Sequence, residues 1–64
     1  MAGYRRELER LLREGGCCFV RHGRGDHDVW YSPITKQNFT VDTGVKSRHT
    51  ANKTLKDAGL EKAF

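Results

Sequence analysis

From Tyr4 to Arg13 the apolar positions are Tyr4, Leu8, Leu11 and Leu12, the i, i+4, i+7, i+8 spacing that lays one stripe along an α-helix. Arg5, Arg6, Glu7, Glu9, Arg10 and Arg13 fill the other faces. This predicts a helix over Tyr4–Arg13, stopped by Gly15 and Gly16, where a left-handed backbone costs little. The period then shortens. "CCFVRH" (Cys17–His22) is rich in apolar and aromatic residues and is followed at once by the turn "GRGD". "HDVWYS" (His27–Ser32) comes next, closed by Pro33, which has no amide proton to give to a ladder. After the turn "PITKQ", apolar and polar residues alternate in "NFTV" (Asn38–Val41). Three short strands on tight connections predict an antiparallel meander.

Beyond Gly44 the chain turns basic in "VKSRHT" and then helical in "ANKTLKDAGL", where Ala51, Leu55 and Ala58 form a narrow apolar face. Ser47 or Thr50 supplies the N-cap and Gly59 the residue after the C-terminus. Leu60 is placed to touch Leu55 across that end, as in a Schellman motif. The tail "EKAF" carries no element of its own, and Phe64 is an apolar group available to the core. Helix, three strands, helix is the order of a two-layer α+β domain, one face of a three-stranded antiparallel sheet being covered by both helices.

At 64 residues the chain is a single domain, 1–64, without repeats or linkers. Domains this small bury only about 60% of the surface exposed on unfolding. A functional site is therefore expected on the surface, in a shallow groove, or completed by a partner. Twelve Lys and Arg against eight Asp and Glu give a net charge of +4 and make a polyanion, nucleic acid first, the expected ligand. The start is charged throughout and no apolar run approaches the roughly 18 residues of a membrane span. No membrane association is expected, and the cytoplasm is the expected location. Cys17 and Cys18 are adjacent, and a disulfide between neighbours is strained. Two free thiols acting as small packing residues are expected.

His22, His27 and His49 are the only side chains whose ordinary pKa lies near neutrality. Cys17, Cys18, His22 and His27 form the only cluster that could ligate a metal, but neighbouring residues on a strand point to opposite sides and no zinc spacing is present. No metal or other cofactor is expected. A nucleophilic triad and a phosphate-binding loop are both missing, since "GRGD" has neither the length nor the Lys of the latter. Asp26 and Asp28 flank His27, as turn residues or as a weak cation site. Of Trp30 and Tyr31, one should face the core and the other is free to stack on a base. Arg5, Arg6, Arg10 and Arg13 read as a solvated helix face. Composition and periodicity alone leave His27 a polar residue at a turn-to-strand junction with no assigned role.

"GDHDVWYSP", taken with the closing "LKDAGL", resembles the HicA family of toxin mRNA interferases. That family's pattern is a Gly, a polar residue, a His, an apolar and aromatic pair and a Pro, then a Thr opening a last helix that ends Leu-Lys-x-Ala-Gly-apolar. Gly25, His27, Val29, Trp30 and Pro33 match the first part; Thr50, Leu55, Lys56, Ala58, Gly59 and Leu60 match the second. The resemblance covers nearly the whole chain. It implies a fold similar to the double-stranded RNA-binding domain and an endoribonuclease that cuts mRNA and arrests translation, with His27 catalytic. It further implies a toxin that is monomeric when free and a HicB-type antitoxin partner that covers the site. The chain departs from the pattern after the third strand: many members have Val-Pro-x-His, where this chain has "VDTG", with Asp42 and Gly44 in place of Pro and His.

RNA carries its own nucleophile, the 2′-hydroxyl, so cleavage needs a base near that group and positive charge at the phosphate. On this reading His27 is the general base, Arg24, Lys46 and Arg48 bind phosphate, and His49 is a candidate second acid. The rival expectation is a non-catalytic RNA-binding module of the same fold. Such modules carry a Lys-rich start to the last helix, and "HTANKTLK" has few such charges.

Overall fold

A computed structural model describes residues 3–64. The chain folds as α1 (Arg5–Glu14), β1 (Cys18–His22), β2 (His27–Ser32), β3 (Gln37–Asp42) and α2 (Arg48–Asp57). The strands form one antiparallel sheet in the order β1-β2-β3. This is the two-layer α+β architecture that the hydrophobic pattern predicts.

Strand alternation divides β2 between two environments. Asp28, Trp30 and Ser32 point under the helices, and His27, Val29 and Tyr31 point to the opposite, open face. Trp30 sits at the centre of the core, opposite Phe39 in register, among Leu8 and Leu12 of α1 and Ala51 and Leu55 of α2. Of the two neighbouring aromatics it is Trp30 that faces inward. Arg13 lies over its ring, 5.1 Å from the centroid, a contact worth about 0.5–1 kcal/mol at an exposed site.

Both helices end in the same way. Cys17 N–H donates to Leu12 O and Gly16 N–H to Arg13 O, with Gly16 at φ +91°. Leu60 N–H donates to Leu55 O and Gly59 N–H to Lys56 O, with Gly59 at φ +83°. These are paired Schellman bonds, and they satisfy carbonyls the helix itself cannot. Cys17 thus belongs to the end of α1 rather than to the first strand, which begins at Cys18. Cys17 is buried and its thiol is pushed up by desolvation, whereas Cys18 is exposed and is not a packing residue.

Ser47, not Thr50, caps α2: its hydroxyl accepts from His49 N–H at 3.1 Å, so Thr50 is the third residue of the helix. The tail folds back. Phe64 packs edge-to-face on Tyr4, the ring centroids 5.3 Å apart, and the Asn52 amide holds Ala63 and Phe64 through three hydrogen bonds.

Candidate active site at the head of the second strand

Two hydrogen bonds within the β1–β2 connection fix the backbone of His27, and a third from beyond β3 fixes the residue before it. Gly23 N–H donates to His27 O at 2.8 Å, His27 N–H donates to Arg24 O at 3.1 Å, and Thr43 N–H reaches back from the end of β3 to Asp26 O at 2.7 Å. Gly25 takes φ +57°, a left-handed turn position that an L side chain resists. Gly23 sits close to the following strand, where a Cβ would lie 3.1 Å from His27 O and 3.3 Å from Val29 Cγ2 and would press on both.

So held, His27 projects from the open face with its side chain 53% exposed. Its cross-strand neighbour in register is Asp42, and Nδ1 lies 2.6 Å from Asp42 Oδ1. Among the described residues no protein group bonds Nε2. A shallow depression lies on either side of the imidazole. One is lined by Arg21, Gly23, Arg24, Val29 and Thr40, the other by Asp26, Asp42, Thr43, Gly44 and Lys46.

Behind this end of the sheet a part-buried polar network centres on the buried Asp28 carboxylate. Arg5 donates through Nη2 to Asp28 Oδ2 at 3.0 Å, through Nη1 to Asp42 O at 2.8 Å and through Nε to Glu9 Oε2 at 2.7 Å. His22 Nδ1 pairs with the other oxygen of Asp28 at 2.8 Å. The Arg5 guanidinium, and after it His22, holds the Asp28 carboxyl below the usual carboxylate range. Arg5 is therefore not part of a solvated helix face. Asp28, for its part, is engaged in this network under the helices rather than in the turn.

Of the residues singled out in the sequence, Arg24 and Lys46 share the two depressions with His27. Arg48 opens α2, and His49 lines a separate hollow with Lys53, Lys56 and Lys62. The structure does not bring His49 to His27. His22 and His27 are close along the sheet, but alternation turns them to opposite faces, His22 lying with Asp28 on the helix side. Arg21 and Asp42 are neighbours of His27 that sequence reasoning missed. The register was the available signal: with Ser32 paired to Gln37 across the turn, five steps outward along each strand bring His27 opposite Asp42.

Chemically, the arrangement is an accessible imidazole with a carboxylate on one ring nitrogen and its other nitrogen unengaged, set between two cationic side chains. Compared with protein-family models, curated proteins and solved structures, the chain matches none.

Proposed function

We propose that this domain is a metal-independent endoribonuclease, a growth-arresting toxin of the HicA type that cuts mRNA and is neutralised by a HicB-type antitoxin covering the open sheet face. One observation carries the reading: His27, the residue the family pattern assigns to catalysis, stands half exposed beside Asp42 with Arg24 and Lys46 on its two flanks. In this reading Nε2 of His27 takes the proton of the 2′-hydroxyl. The 2′-oxygen attacks phosphorus, and the 5′-oxygen leaves with a proton from water, giving a 2′,3′-cyclic phosphate and a 5′-hydroxyl. Arg24 and Lys46 stabilise the added charge on the phosphoryl oxygens. Positioned base catalysis of this kind is worth about 10²- to 10⁴-fold. A modest catalyst acting on the whole mRNA pool is sufficient for growth arrest.

The test is incubation of the purified protein with a defined RNA, and with the same strand carrying 2′-deoxy sugars, under excess chelator. The expected result is cleavage of the RNA to cyclic-phosphate ends, with the deoxy strand bound but intact. RNA that is bound and never cut identifies the non-catalytic binding module instead.

A further inference from the structure

We propose that Asp42 is a positioning residue for His27, holding the imidazole as its Nδ1–H tautomer so that Nε2 faces the substrate; this rests on the reading of His27 as the base. The separation of 2.6 Å between Nδ1 and Asp42 Oδ1 is the starting point. At that distance a bare ring nitrogen and a carboxylate oxygen repel each other, so the contact favours a proton on Nδ1. Which nitrogen of a histidine is protonated is set by the partner of the other. A base working through Nε2 requires that nitrogen bare, and Asp42 supplies the condition.

The backbone that carries this carboxylate is itself held in place. Asp42 is the cross-strand partner of His27, and its carbonyl accepts from Arg5 Nη1 at 2.8 Å on the helix side of the sheet. Arg5 is in turn clamped by Asp28 and Glu9. One part-buried guanidinium therefore bridges a side chain of the strand that carries the imidazole and the backbone of the strand that carries its carboxylate.

A competing account makes Asp42 an ordinary surface ion pair, worth about 0–1 kcal/mol and dispensable to chemistry. The two accounts separate on the split between binding and turnover. A carboxylate beside a phosphate site repels RNA, so its removal should leave KM unchanged or lower it. If Asp42 positions the base, the same removal lowers kcat by about 10- to 100-fold, by analogy with the loss of orienting carboxylates behind metal-ligating histidines. A purely structural contact does not move the two constants this way.

The experiment compares the parent protein with Asp42→Ala, Asp42→Asn and Asp42→Glu, with His27→Ala as control. The readouts are kcat and KM on a defined RNA and the imidazole tautomer by ¹⁵N NMR, whose backbone spectrum also checks folding. The expected result is Nδ1–H in the parent, loss of that preference in the Ala and Asn variants with reduced kcat, and partial recovery in the Glu variant. An Nε2–H tautomer in the parent, or unchanged tautomer and kcat in Asp42→Ala, overturns the assignment. If His27→Ala abolishes cleavage while Asp42→Ala keeps the parent kcat, only the role of Asp42 falls. If His27→Ala still cleaves, the reading of His27 as base falls, and the tautomer alone decides whether Asp42 orients the ring.

Discussion

Arg5 in the first turn of α1 and Asp28 in β2, 23 residues apart in sequence, form an ion pair at 3.0 Å that fastens the helix across the end of the sheet bearing His27. The carboxylate is 7% exposed and the guanidinium 20%, so the pair is shielded from the solvent that makes most surface pairs worthless.

The depressed ionisation of Asp28 sets an acid limit to stability. Its folded-state pKa lies below the unfolded value of about 3.9, so its contribution is complete above that pH and is lost as the pH falls through the folded value. Thermal melts from about pH 7 to about pH 2 should be flat on this account until near pH 4 and fall beyond it. Asp28→Asn should be less stable at neutral pH by about 1–3 kcal/mol, because Arg5 and His22 lose a charged acceptor. Its acid decline should be correspondingly shallower.

Gly59 makes a second, independent test of the packing. Its φ of +83° lies in the left-handed region, and a Cβ there would stand 2.7 Å from Ile34 Cγ2 in the β2–β3 turn. Gly59→Ala should cost at least about 1–2 kcal/mol from the backbone alone, with more from displacing Ile34 and Thr35. Urea denaturation measures it. An unchanged midpoint would mean that the end of α2 does not seat against that turn.

The hydrophobic pattern was sufficient for the element order, for the end of α2 at Gly59 and for an inward-facing aromatic in β2, because periodicity reports which face is buried. It was blind to what long polar side chains do at the ends of elements. Arg5 occupies a polar position of an amphipathic helix, which periodicity assigns to water, yet its length lets it cross the sheet end and bond both Asp28 and Asp42. Asp42 was visible only as a departure from the family pattern. Its place opposite His27 depends on the register, which the four-residue turn Pro33–Lys36 sets. His49 follows Arg48 directly, but capping by Ser47 starts α2 at Arg48 and carries His49 to another surface.

Binding and cleavage should separate under mutation. Arg24→Ala and Lys46→Ala should each weaken RNA binding and reduce the slope of log affinity against log salt by about one unit, the signature of a lost phosphate contact. Lys62→Ala, beside the separate hollow that His49 lines, should leave the slope as it is. Fluorescence anisotropy with a labelled RNA across a salt series measures all three. Equal slopes for the Arg24 and Lys46 variants and the parent would remove these residues from the phosphate site.

The central claim is that His27 is the base that starts the chemistry, while the cationic side chains bind the phosphate and stabilise its added charge. Cleavage of a defined RNA by His27→Ala, measured under excess chelator beside the parent and a low-salt binding assay, tests it most directly. The account predicts a loss of about 10²-fold or more in cleavage rate with RNA binding retained, and with it the loss of growth arrest on expression. A His27→Ala protein that cuts RNA and arrests growth as the parent does would contradict it.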